Sequence, residues 1–267
     1  MIPAWIVEYA ALLGRGLQTT ITILLISMVF GFVLAVLVAL ARISKNKVIA
    51  RASLLYTSVL RGTPLLIQIY IFYYGLGSLF AQFPLIRGSF FWPYLRDGYW
   101  YIVFALVLSV GAYVGEVIRG GLLAVPKGEM EAASAFGMTA RQSLLRVRLP
   151  RAMRLLLPTL AGETVMLLKS TALASTIAII DLLGAANVVR AQTLQVYEPL
   201  LLVAGVYVCL TFLIEALFAF FERRGTKPAS EGITFRSSYG LMAVRGTRFY
   251  AGPNRGAFAV LVGEGRV

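Results

Sequence analysis

Along the chain, long apolar runs alternate with short polar connections, and one connection is far longer and more polar than the rest. Apolar runs of about 20 residues, the length that crosses a bilayer, occur near Thr20 to Ala41, Pro64 to Phe80, Trp100 to Ile118, Leu156 to Ile180 and Leu200 to Phe221. The pattern predicts five transmembrane helices. Between the third and fourth runs lies the polar stretch Val125 to Pro158, which reads as helix, turn, helix. Pro126 suits the approach to a first helical turn, and Glu129 and Glu131 favour its positive end. Gly137 takes the left-handed conformation that closes a short helix. Thr139 and Gln142 have the spacing of a capping box for a second helix, and Pro150, lacking an amide donor, is expected to stop it.

Composition agrees with the apolar runs. Of 267 residues, 59% are hydrophobic and 14% charged, and the mean hydropathy is +0.80, which excludes a soluble globular domain. The first ten residues hold no positive cluster and no small-residue cleavage site follows them, so the first run reads as an anchor, not a removable signal. A net charge of +13 raises the question of nucleic acid, but the positions of the basic residues answer it. Arg42, Lys45, Lys47 and Arg51 follow the first run, seven basic residues from Arg119 to Arg154 follow the third, and Arg223, Arg224 and Lys227 follow the fifth. Positive loops mark the cytoplasmic side, which predicts an N-terminus outside, a C-terminus inside and no nucleic-acid partner. The single cysteine, Cys209, lies in an apolar run, and the chain has no histidine. Histidine-based triads, zinc-protease motifs and haem ligation are therefore excluded, and no phosphate-binding Gly-x-x-x-x-Gly-Lys loop occurs.

The polar stretch carries a resemblance. Glu131-Ala132-Ala133, then Gly137, then Leu149-Pro150 fall at the spacing of the signature loop in the membrane subunits of bacterial ATP-binding-cassette importers, with Val147 where the family has isoleucine. The resemblance spans about Gly14 to Arg224. It implies an all-α polytopic membrane protein of the type I importer permease kind, whose loop is a cytoplasmic coupling helix-turn-helix. Glu131, Ala132, Ala133, Gly137, Leu149 and Pro150 would then face a cytoplasmic ATP-binding subunit dimer. The same resemblance implies a second permease subunit, identical or not, and a periplasmic substrate-binding protein. No cofactor is expected on the chain itself, since ATP belongs to the partner. The alternative for this stretch is an amphipathic helix lying on lipid headgroups, with Arg141, Arg146, Arg148, Arg151 and Arg154 on phosphates, but such a helix has no need of Gly137.

Four further stretches matter. Arg61-Gly62-Thr63-Pro64-Leu65-Leu66-Ile67-Gln68 opens the second run and matches a recurrent entry in the polar amino-acid branch of the family; span packing or gating ranks ahead of ligand contact for it. Ala112 to Gly121 is close to another pattern of that branch, and Glu116 and Arg119, three apart, read as a local pair. Phe90 to Tyr94 with Tyr99 to Tyr101 reads as an outer aromatic belt ahead of a docking surface. In the fourth run Glu163 and Lys169 lie in apolar surroundings, six residues apart and so on different faces. A charge at mid-bilayer costs at least about 2.5 kcal/mol and usually faces a bundle interior or a path. The family's usual asparagine before this glutamate is Gly162 here. Glu163, Lys169, Ser170 and Thr171, with Thr63 and Gln68, form the candidate substrate path.

These readings converge on a multi-pass permease of the bacterial inner membrane, spanning 1–224, that imports polar amino acids or opines, and basic ones by its likeness to histidine/lysine/arginine and octopine/nopaline permeases. The stretch 225–267, rich in glycine, serine and arginine, reads as a disordered basic cytoplasmic tail. Two other classes fit the residues less well. An intramembrane hydrolase lacks a nucleophile and base. A proton-coupled carrier would use Glu163 and Asp181 as relay groups, but five spans without an internal repeat fit it poorly.

Overall fold

A computed structural model describes residues 4–225, 233–237, 240–254 and 257–266, with side chains over 5–223. The chain divides into two units, Met1–Ala219 and Phe220–Val267, each described by itself.

The first unit is all-helical. Helix α1 (Ala4–Arg42) is about 58 Å long at 1.5 Å per residue, well over the bilayer's apolar thickness, and begins some 16 residues before the predicted span. Its polar patch does not end the helix, because the hydroxyls bond to the helix's own carbonyls. Thr19 Oγ1 donates to the Arg15 carbonyl at 3.0 Å and Thr22 Oγ1 to that of Thr19 at 3.0 Å. After Asn46, which caps α2 (Lys47–Gly62), the chain turns at Thr63-Pro64 into α3 (Leu65–Tyr70), a π-helical segment (Ile71–Leu76) and α4 (Gly77–Gln82). Two single turns, α5 (Pro84–Arg87) and α6 (Trp92–Leu95), lead to α7 (Gly98–Ala124), capped by Asp97.

Helix α7 is the central element. It packs along α1, and the approach is close because of a glycine: a Cβ on Gly31 would lie 2.6 Å from Val110 Cγ1, so the residue expected to admit a neighbour does so. Ile23 of α1, Ile69, Ile102, Leu106 and, from the fourth span, Leu168 form one fully buried layer. A second layer nearer the polar loop holds Ala35, Ile118, Leu122 and Ala152.

Past the loop helices α8 (Lys127–Ala135) and α9 (Ala140–Ser143), a π-helical segment (Leu144–Arg148) runs into α10 (Leu149–Thr171). Here the structure corrects an expectation: Pro150 does not end a helix but lies in the first turn of α10. A first-turn residue needs no amide donor, so the chain remains helical from Ala140. A 3-10 segment (Ala172–Ile177) and Ala178 in the left-handed region end this span, and Asp181 caps α11 (Leu182–Thr193). Helix α12 (Tyr197–Gly225) follows. Among the described residues, four helices are long and apolar enough to cross a membrane, and the bent pair Ala140–Ile177 with Leu182–Thr193, at 48°, makes five if it is counted as one span.

In the second unit, the described residues beyond α12 form three strands. Strands β1 (Ile233–Ser237), β2 (Gly240–Asn254) and β3 (Ala257–Arg266) pair antiparallel in the order β1-β2-β3, with Ile233 opposite Val244 and Asn254 opposite Ala257. Phe249-Tyr250 and Val260-Leu261-Val262 are good strand formers, a preference that a search for helical periods passes over.

Candidate functional site

Two places combine built geometry with uncommon chemistry. The first is the polar loop. Pro126 precedes α8, and Gly137 closes it with φ +73°. The Met138 amide donates to the Ala133 carbonyl at 3.1 Å and the Gly137 amide to that of Ser134 at 2.9 Å, the paired bonds of a Schellman turn. The capping box is present: Gln142 N donates to Thr139 Oγ1 at 3.3 Å and Thr139 N to Gln142 Oε1 at 2.9 Å. The turn is fastened to the bundle by Arg148 Nε donating to the Leu122 carbonyl at 2.8 Å and by an Arg151–Glu129 ion pair at 3.3 Å. Glu131, Ala132, Gly137 and Pro150 are exposed, Leu149 is half-buried, and Ala133 is buried under the loop. Phe136, which sequence reasoning passed over, is 85% exposed at the tip. Its signal was available: a large apolar residue directly before the turn glycine, with nothing local to cover it.

Behind the loop, Glu116 of α7 joins three helices. Its carboxylate accepts from Arg42 Nε of α1 at 2.6 Å and from Arg119 Nε at 2.7 Å, and Thr57 Oγ1 of α2 lies 3.4 Å away. The local Glu116–Arg119 pair is the one expected. Arg42, read only as a marker of the cytoplasmic side, is its second partner.

The second place is a cavity of about 740 Å³ between α1, α7 and α10. Its wall is mostly apolar, with Val29, Val110 and Leu160, and its polar groups are Ser109, Tyr113, Thr164, Ser170 and Glu163. Glu163 is the one charged residue lining it, and no cation lies within 4 Å of that carboxylate among the described residues. At the cavity's edge the Arg61 guanidinium lies over the Tyr113 ring, 5.5 Å from its centroid, and Tyr113 Oη donates to the Arg61 carbonyl at 3.3 Å.

Of the six residues named for a substrate path, the structure brings two to the cavity, Glu163 and Ser170. Lys169 is exposed and lines a separate shallow hollow with Tyr207, so it does not pair with Glu163. Thr171 is fully buried and donates to the Leu168 carbonyl at 2.7 Å. Thr63 and Gln68 hold the entry to the second span together: Gln68 Nε2 donates to Thr63 Oγ1 and to the Leu60 carbonyl, each at 2.8 Å. Those bonds tie the turn at Thr63-Pro64 to the start of the second span. Asp181 is fully buried away from the cavity wall, and its Oδ1 accepts from the Gly184 amide at 2.8 Å. It cannot share a relay with Glu163 across the cavity, and the carrier alternative receives no support.

The family described as "Binding-protein-dependent transport system inner membrane component" matches residues 29–227. An octopine transport system permease protein of Rhizobium radiobacter is 39% identical over 82% of this chain and 88% of its own length. A histidine/lysine/arginine/ornithine transport system permease protein of Escherichia coli K12 is 36% identical over 80% of this chain and 90% of its own. Among solved structures, an amino acid ABC transporter crystallised with histidines aligns with a TM-score of 0.71 and 31% identity, over 84% of this chain and all of that one.

Proposed function

The chain belongs to the inner membrane components of binding-protein-dependent transport systems, and from that membership we propose that its cavity passes amino acids bearing a cationic group, or opines, towards the cytoplasm with Glu163 as the recognising carboxylate. As a permease subunit of an ABC importer it is a transport component and not an enzyme, working with an ATP-binding subunit and a substrate-binding protein. The observation that carries the substrate reading is the charge of the cavity: among the described residues its wall holds one carboxylate and no cation, with the hydroxyls of Ser109 and Ser170 on the same wall. A carboxylate in apolar surroundings attracts a cationic ligand because the attraction is weakly screened there. Relatives named for octopine and for histidine, lysine, arginine and ornithine support the same class.

The test uses the assembled complex with its ATPase and binding protein in vesicles. Glu163→Gln is expected to lower arginine uptake about tenfold or more, equivalent to about 1.4 kcal/mol, while uptake of a neutral amino acid changes much less. Equal loss for both substrates, after correction for assembled complex, removes Glu163 from recognition.

In this reading the loop docks on the cytoplasmic ATPase dimer through Glu131, Ala132, Phe136 and Gly137, with Leu149 and Pro150 holding its return, and a second permease subunit completes the pore. The N-terminus lies outside and the C-terminus inside, on the placement of basic residues. Single cysteines in a Cys209→Ser background decide the orientation: Ser89→Cys reacts with an impermeant thiol reagent from the periplasmic side and Gln142→Cys is protected. Periplasmic labelling of Gln142→Cys would reverse the topology.

A further inference from the structure

We propose that Arg61, held on the face of Tyr113, is the subsite for the substrate's α-carboxylate, so that the cavity recognises a zwitterion by an anion-binding edge and a cation-binding wall. The inference rests on the reading of the cavity as an amino-acid site and adds its second charge. Four observations carry it.

Tyr113 and Leu65 line the same cavity as Glu163. Arg61 is fixed at that edge twice, by its side chain over the Tyr113 ring at 5.5 Å and by its carbonyl accepting from Tyr113 Oη. Its guanidinium makes no ion pair within 4 Å among the described residues, whereas Arg42, Arg119 and Arg151 each hold a carboxylate. Glu163 lines the cavity that Tyr113 also lines, and among the described residues it makes no ion pair with Arg61, so the two opposite charges border one cavity without touching. A guanidinium stacked on an aromatic face keeps its N–H fork pointing outward, and that planar fork matches a carboxylate with two parallel hydrogen bonds. An amino acid bound there would set its carboxylate on Arg61, its cationic group on Glu163 and its aliphatic stem along Val110 and Leu160.

Arginine and agmatine separate the two ends, because agmatine keeps the guanidinium and lacks the carboxylate. Binding of each is measured by calorimetry on the purified permease–ATPase complex in nanodiscs. The complex should bind arginine at least tenfold more tightly than agmatine. Arg61→Gln should weaken arginine to the agmatine level and leave agmatine unchanged, while Glu163→Gln should weaken both. Arg61→Lys, which keeps the charge but loses the fork, should fall between, and it carries the same test if Arg61→Gln impairs assembly. Equal weakening of both ligands by either Arg61 variant, or no effect on either, overturns the carboxylate subsite and leaves Arg61 as a lipid-phosphate contact at the membrane edge. A Glu163→Gln complex that binds both ligands normally overturns the cation-binding wall alone.

Discussion

Glu116 on α7 and Glu163 on α10 are both carboxylates set into apolar helices, and the fold provides for them in opposite ways. Glu116 accepts from Arg42 at 2.6 Å and Arg119 at 2.7 Å with its side chain 12% exposed. Its partners come from α1 and from the next turn of its own helix, so the pair of bonds fastens helices together. Glu163 meets a cavity with no cation within 4 Å among the described residues. Placing a charge at membrane depth costs at least about 2.5 kcal/mol; at Glu116 protein groups offset this, and at Glu163 the offset is left to water or a ligand. A paired carboxylate in a span is a joint, and one on a cavity wall without a cation beside it is open to a ligand.

That contrast predicts the largest stability effect at the joint. Glu116→Gln leaves two guanidinium groups facing each other without a counter-charge and should destabilise the assembled complex by about 3 kcal/mol, the low end for breaking a buried pair, because Arg119 is partly solvated. At about 2–4 °C per kcal/mol for a chain of this size, the melting temperature of the purified complex should fall by about 6–12 °C. A fall of less than 2 °C would show that water can replace Glu116 and would collapse the distinction.

The unequal legibility of these regions has a physical cause. Rules that act within one or two helical turns were readable from the residues: the five spans, the Thr139/Gln142 capping box, the left-handed Gly137, the Glu116–Arg119 spacing and the isolation of Glu163. What escaped depends on residues far apart in the chain. Arg42 reaches Glu116 across 74 positions and Tyr113 reaches Arg61 across 52, and no local pattern encodes either meeting. Lys169 and Thr171 share a helix with Glu163 and flank Ser170, but a single residue, about 100° of rotation, decides which side of the helix meets a cavity. Pro150 was read as a stop because the preceding π-helical segment, which brings it to the start of α10, has no reliable sequence signal.

A middle-sized effect is expected in the loop, where the joint's side of the molecule meets its proposed partner. A Cβ on Gly137 would touch nothing within 4 Å, so Gly137→Val acts only through the backbone, at about 1–2 kcal/mol for a left-handed residue. The spans should assemble normally. Substrate-stimulated ATP hydrolysis should be lost, because the Schellman turn that presents Phe136 opens. Gly137→Asn, which tolerates the left-handed region, should retain most of it. Full stimulation with Gly137→Val would mean that the turn is not the docking element.

The smallest stability effect should come from the residue with the largest proposed role in recognition. Glu163→Gln keeps the size and hydrogen-bonding capacity of the side chain and removes a charge that, among the described residues, no basic group within 4 Å offsets. A neutral amide is easier to keep beside an apolar wall than a carboxylate, so the variant complex without substrate should melt within about 2 °C of the parent, a change under about 1 kcal/mol, and any shift should be upward. Substrate reverses the order. If a cationic amino acid contacts Glu163, saturating arginine raises the melting temperature of the parent by mass action, and Glu163→Gln should lose most of that rise. If Glu163 were instead a second joint, with its partner on a helix of the same complex, Glu163→Gln would behave as Glu116→Gln does: a lower melting temperature without substrate and an undiminished increment with it. The two increments, measured on one preparation, therefore distinguish a carboxylate that the fold needs from one that the fold leaves for its substrate.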